Sequence, residues 1–258
     1  MRQVFTTPLT EILGVKHPVM LAGMNVAAGP ELAAAVSNAG GIGTMGGVGW
    51  SVEFLKQQTD LLKSKLRDPA LPWGIDLLLP KVGDGARATN KDYTRGKLML
   101  LVEAIIESGA RLFVSAVGVP PKAAVDKLHA AGIPVMNMVG HPKHVKYALE
   151  AGVDIICCQG TEAGGVRYSL SFASASIVYS YSRTSTQHTG SISSSVLVPA
   201  CVDACRGRVS PFTKREVPVV AAGGVYDGRG LASALCYGAS VRSCYCRCQA
   251  VKTKGRTR

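Results

Sequence analysis

Ile133-Pro134-Val135-Met136-Asn137-Met138, then a stretch from Pro142 to Ala151, then Val153-Asp154-Ile155-Ile156-Cys157-Cys158 spell one complete strand–helix–strand unit. The two outer runs are short, apolar and bounded by Gly132, Gly140 and Gly152, which marks them as buried strands. The stretch between them has an amphipathic helical pattern. A helix returning the chain to the same sheet leaves its two strands parallel.

Outward from this unit the alternation repeats. Towards the N-terminus the predicted strands are His17–Ala22, Gly41–Met45, Trp73–Leu79 and Arg111–Ala116. The predicted helices are Pro30–Val36, one starting near Val52 with Ser51 as its cap, Lys91–Ser108 and Pro121–Ala131. Towards the C-terminus come a helix over Ser193–Cys205, a strand over Val217–Ala221 and a helix over Gly228–Cys236. The fold class is α/β, a TIM-type (β/α)8 barrel.

Two breaks interrupt it. Val166 to Gln187 holds seven serines and three tyrosines, with no Gly, Pro, Asp or Glu and neither periodicity. After Gly238-Ala239-Ser240, where an eighth strand should begin, the chain turns basic and cysteine-rich. The expected organisation is a barrel domain over 1–240, with 166–187 an atypical insertion, and a disordered tail over 241–258. The eighth strand and the region after it are read as missing or replaced. A missing strand leaves two open edges and forfeits on the order of 6–12 kcal/mol of burial, as much as a whole domain's net stability.

In such a barrel the working groups sit where strands end. Those positions here are Met20 to Met24, Asp76, Met138, Gln159-Gly160, Gly164-Gly165 and Gly223-Gly224. Glycines and soft apolar side chains with few charges suit a flat cofactor whose phosphate is held by backbone N–H groups. Gly41-Ile42-Gly43-Thr44-Met45-Gly46 matches a dinucleotide fingerprint, but its glycines fall inside a strand and no acid follows at the required distance.

Met20-Leu21-Ala22-Gly23-Met24, Ala39-Gly40-Gly41-Ile42-Gly43, Gly160-Thr161-Glu162-Ala163-Gly164-Gly165, His188-Thr189-Gly190 and Ala221-Ala222-Gly223-Gly224 together resemble the nitronate monooxygenase family in order and spacing. In that family the paired glycines run straight into the histidine, whereas here Val166 to Gln187 intervenes. The resemblance implies bound FMN, with Ala22, Gly23, Met24, Asp76, Gln159, Gly160, Gly164, Gly165, Ala222, Gly223 and Gly224 around it. It makes His188 the base that removes the α-proton of a nitroalkane. The implied reaction takes a nitronate and dioxygen to a carbonyl compound and nitrite. The family's Gly-Thr pair after the eighth strand, which holds half of the phosphate site, is absent. The alternatives are a flavin-dependent enoyl reductase or an inactive family member.

Composition narrows the partners. Of the net charge of +12, six cations lie in the last 18 residues, and without them the charge falls to +6. No aromatic platform accompanies that tail, so no nucleic-acid partner is expected. No apolar run is long enough for a membrane span, and the N-terminus lacks a secretory pattern. A cytoplasmic protein with free thiols is expected. Cys157, Cys158, Cys201 and Cys205 read as core residues, and the Cys244-x-Cys246-x-Cys248 run lacks the paired spacing of a zinc site, so no metal is expected. Both breaks open on Val-Arg, which can be encoded with an intron's first bases, and Gln187 can supply an intron's last ones. Retained introns and a genuine serine-rich loop are the two readings; sequencing spliced transcripts separates them.

Overall fold

Eight parallel strands build the barrel: β1 (Val19–Leu21), β2 (Gly43–Gly46), β3 (Trp73–Leu78), β4 (Leu112–Ala116), β5 (Val135–Val139), β6 (Ile155–Gln159), β7 (Val219–Ala222) and β8 (Val241–Cys244). The computed structural model describes residues 5–81, 90–163, 191–225 and 227–244, with 241–244 as backbone. Around the strands lie α1 (Pro8–Leu13), α2 (Pro30–Asn38), α3 (Val52–Lys65), α4 (Leu98–Ser108), α5 (Lys122–Ala130), α6 (Lys143–Glu150), α7 (Ser194–Cys205) and α8 (Gly228–Cys236).

The ring closes. β2 to β8 pair in sequence and β8 pairs β1. The Met20–Ile42 bridge joins β1 to β2, with Leu21 N donating to Ile42 O at 2.9 Å and Ile42 N to Val19 O at 3.0 Å. The eighth strand is therefore replaced, and the boundary expected at 240 is corrected. Val241–Cys244, the first four residues of the stretch read as tail, pair Val19↔Arg242 on one side and Val220↔Val241 on the other. Ladder pairing uses backbone groups, which a basic, cysteine-rich sequence supplies as well as an apolar one. The rest of the tail, 245–258, and the insertion 166–187 lie outside the described residues.

Alternate strand side chains point to opposite faces. Trp73, Ile75 and Leu77 of β3 pack outward with Leu101, Val102 and Ile105 of α4. Leu78 instead joins Met20, Leu112, Val114, Met136, Ile155, Cys157 and Val220 in the barrel interior. Leu9 and Leu13 of α1 belong to that inner cluster, so α1 plugs the barrel's N-terminal foot. The sequence reading omitted this helix, although Thr7 and Thr10 form a reciprocal cap and Pro8 opens it. Six residues are too few for a helical period to accumulate.

The predicted helix over 91–108 starts later, at Leu98. Asp92 holds the preceding segment in a turn, accepting from Thr94 N at 2.8 Å and Gly96 N at 2.7 Å. A short acid that captures nearby N–H groups competes with helix formation. Ser51 caps α3 as expected, accepting from Phe54 N at 3.2 Å. Among the described residues no helix is long and apolar enough to cross a membrane.

Candidate functional site

β3 brings Asp76 to the mouth end of the barrel on the same inner face as Leu78. The carboxyl is 2 % exposed, and its Oδ1 has no hydrogen-bond partner. Burial raises its pKa well above the usual carboxylate range. β6 delivers Gln159, 1 % exposed, whose Nε2 is also without a partner. Thr44, one step deeper on β2, has an unpartnered Oγ1. Buried polar atoms are nearly always paired, so three orphans in the barrel interior among the described residues mark a place prepared for a polar ligand.

Glycines form the roof and one wall. Gly23, after β1, lies so close to Asp76 that an added Cβ would stand 2.2 Å from the Asp76 Cβ and 2.8 Å from its Oδ2. Gly223, after β7, has φ +110° and would place a Cβ 2.5 Å from Ala163 N. Only glycine satisfies both demands there. Gly160 N donates to Ala222 O at 3.2 Å, which holds the β6 and β7 loops together. A recess of about 190 Å³ beside them is lined by Glu162, Ser194, Gly223, Gly224 and Gly230. Two larger grooves, of about 690 and 550 Å³, lie at α6–α7 and at the barrel foot, and none of the described candidate site residues lines them.

Glu162, which the sequence reading did not single out, secures the rim. Its carboxylate accepts from Ser193 Oγ at 2.7 Å and from Ser194 N and Oγ, both at 2.9 Å, at the start of α7. Thr161 N donates to Ile192 O at 3.0 Å. The two sides of the 164–190 stretch are thus pinned to each other. Burial alone would raise the Glu162 carboxyl, but the hydrogen bonds from Ser193, Ser194 and its own backbone outweigh it and lower the pKa to about 2. Because the folded value is depressed, the stabilisation is present above the ordinary value and fades as pH falls from about 4.5 to about 2. The group is largely solvated, so about 1 kcal/mol is expected after screening. Urea unfolding at neutral and acid pH checks this: Glu162→Gln should lose that acid-sensitive increment, and unchanged pH dependence in the variant would refute it.

A family model described as nitronate monooxygenase matches residues 6–243. The chain belongs to the nitronate monooxygenase family. It is 31% identical over 91% of its length to a probable nitronate monooxygenase of Staphylococcus saprophyticus, covering 65% of that protein. It is 32% identical, again over 91%, to a (3aS,4S,5R,7aS)-5-hydroxy-7a-methyl-1-oxo-octahydro-1H-indene-4-carboxyl-CoA dehydrogenase of Rhodococcus jostii, covering 52% of it. Among solved structures, FabK from Thermotoga maritima superposes with a TM-score of 0.69 at 27% identity, over 93% of this chain and 61% of that one. A nitroalkane oxidase from Streptomyces ansochromogenes shares the fold, with a TM-score of 0.68 at 21% identity. The chain spans about half to two thirds of the length of these relatives. It is a member of an oxidoreductase family built on this barrel.

On this nitronate monooxygenase barrel the predicted positions Ala22, Gly23, Met24, Asp76, Gln159, Gly160, Ala222, Gly223 and Gly224 all fall at the mouth end of β1, β3, β6 and β7. Gln159 and Ala222 are direct register partners. Gly164, Gly165 and His188 lie outside the described residues. Asp76 Oδ1 and Gln159 Nε2 are buried without partners and Gly223 and Gly224 both have positive φ, which fits a flavin with a polar ring edge and a phosphate held by backbone N–H groups. Two further histidines have structural places. His129 Nε2 lies 2.8 Å from Asp154 Oδ2, and His141 Nδ1 accepts from Lys143 N at 3.1 Å.

Proposed function

We propose that this chain carries the FMN-binding barrel of an enzyme that oxidises nitronates with dioxygen to carbonyl compounds and nitrite. The observation that carries the reading is the set of unpartnered Asp76, Gln159 and Thr44 atoms inside a glycine-lined mouth. FMN, when bound, supplies the electron sink and the reactivity towards dioxygen that no side chain has. The protein's share is recognition and proton handling. Asp76 and Gln159 would hold the ring's polar edge, Ala22-Gly23-Met24 would line the ring, and Gly223-Gly224 would help hold the phosphate. His188 is the proposed base for the α-proton of a nitroalkane; a positioned base contributes ~10²–10⁴-fold. A small-molecule nitronate or nitroalkane, dioxygen and FMN are the proposed partners, in the cytoplasm.

Bound flavin is tested by visible absorption of the purified chain before and after FMN addition. A shifted, protein-retained flavin spectrum is expected; a colourless, folded protein that retains none refutes the reading. Removing residues 166–187 would join Gly165 to His188 and leave five residues between Ala163 and Ser191. Five residues reach roughly 16–18 Å, ample for termini tied by the Thr161–Ile192 hydrogen bond. Nitronate oxidation is expected to rise about 10²-fold in that deletion variant, the usual cost of a base misplaced by ~1 Å. Adding His188→Asn should remove the gain.

A second reading rests on the likeness to FabK at 27% identity and to the carboxyl-CoA dehydrogenase at 32%: a reductase of unsaturated thioesters using a nicotinamide donor. Rapid anaerobic bleaching of the bound flavin by NADH or NADPH would select it.

A further inference from the structure

Asp76 departs from what a buried carboxyl needs. A carboxylate taken out of water costs several kcal/mol unless a cation or several N–H donors face it. Among the described residues its surroundings supply neither. From the β1 loop Gly23 packs on it so closely that an added Cβ would stand 2.8 Å from Oδ2. β2 places Gly46 beside it and β4 places Val114. Thr44 and Gln159 are polar but uncharged. The titratable group facing it is the Cys157 thiol of β6, itself pushed up by burial and then by the neighbouring carboxyl. No cation acts on Asp76 among the described residues; burial is the one cause of its shift.

A carboxyl in such surroundings keeps its proton. It then differs from a carboxylate in kind: it has an O–H to give as well as a carbonyl to receive. The edge of an isoalloxazine ring carries carbonyl and ring-nitrogen acceptors together with one N–H. We propose that Asp76 meets the flavin as a neutral carboxylic acid that donates a hydrogen bond from the barrel interior, so that this chain's cofactor affinity falls as pH rises. The inference rests on the flavin reading above and deepens it. Once the proton leaves, the donor is lost and a buried negative charge faces the same ring carbonyls, so binding competes directly with ionisation.

The test compares the chain with Asp76→Asn, which keeps the size and a donor but cannot ionise. Titration with lumiflavin, which has no phosphate to protonate, reads the ring contact by fluorescence quenching. Above the ionisation of Asp76 the dissociation constant should rise about tenfold per pH unit. The Asn variant should stay flat over that range; ionisation of the flavin itself is common to both. Infrared spectra of the flavin-free proteins give an independent reading: a protonated-carboxyl stretch at neutral pH in the chain, missing from the variant. Stability should agree in sign. A raised folded-state pKa means stability present in acid and lost as pH rises, so only the unsubstituted chain should weaken from mildly acid to neutral pH.

Equal pH profiles in the two proteins, or no protonated-carboxyl band, would overturn the role given to Asp76 while leaving flavin binding intact. Failure of both proteins to bind FMN or lumiflavin at any pH, with the band present, would overturn the flavin reading and this inference with it.

Discussion

Gly43→Ala is expected to lose about 3 kcal/mol or more of stability, among the largest losses a single methyl can cause here. A Cβ at Gly43 would stand 1.9 Å from Ala33 O and 2.4 Å from Ala33 C, both backbone atoms of α2. Overpacking a core ordinarily costs ~1–3 kcal/mol when side chains can yield. Here the obstacle is main chain, so relief requires α2 to move off β2. That movement would strip Ser37, whose Oγ accepts from Gly43 N at 3.0 Å and donates to Pro72 O at 2.7 Å. Gly228→Ala is the control: nothing lies within 4 Å of its added Cβ, and alanine suits a helix. Urea denaturation of the two variants should separate them by several kcal/mol. Equal midpoints would mean that α2 and β2 are not packed this closely.

The same glycines explain why the fingerprint-like run Gly41 to Gly46 was rightly set aside. A Cβ added at Gly41 would stand 2.6 Å from Val19 O, and one at Gly46 would stand 2.7–2.8 Å from the Met24–Asn25 peptide. They exist for close packing of β2 against α2, β1 and the β1 loop. Glycine spacing alone does not tell a phosphate loop from a crowded strand.

Strand order and parallel direction were legible because apolar runs and helical patterns alternate with short connections, and only a right-handed parallel winding satisfies that. Strand ends shifted by a residue or two, as ladder bonds rather than hydropathy define them. β8 is not legible in the sequence because Val241-Arg242-Ser243-Cys244 lacks the apolar run of a buried strand. Its place is set by the two neighbours that need a partner. In the site, Asp76 is named by its place at a strand end, whereas Glu162 is not singled out. Its role depends on Ser193 and Ser194, 31 and 32 positions away beyond the insertion, a separation that no local pattern bridges.

Asp154→Ala should be nearly as costly as Gly43→Ala, about 3–5 kcal/mol, and for an electrostatic reason. Asp154 is fully buried just before β6, at the foot of the barrel. Its Oδ2 accepts from Val135 N at 2.7 Å and lies 2.8 Å from His129 Nε2, while Oδ1 accepts from Ser210 Oγ at 2.6 Å. Ser210 Oγ in turn accepts from Thr213 N at 2.8 Å, and Phe212 stacks on the His129 ring at 4.5 Å. One carboxyl thus ties the end of α5, the start of β5 and the segment leading into β7. Alanine would strand three donors in the interior, each costing about 1–3 kcal/mol when unmet. Asparagine restores an acceptor for Val135 N but offers Ser210 a donor where it now needs an acceptor, so roughly half the loss should remain. Serine, aspartate and histidine in contact invite a hydrolase reading, which the connectivity rejects. The carboxyl lies between the other two, Ser210 donates to it rather than to His129, and the cluster faces the foot while the mouth holds the candidate site. Asp154→Asn should therefore lower the unfolding midpoint and leave FMN affinity per folded molecule unchanged. Lost flavin binding in a fully folded Asn variant would show that the foot and the mouth are coupled through β6.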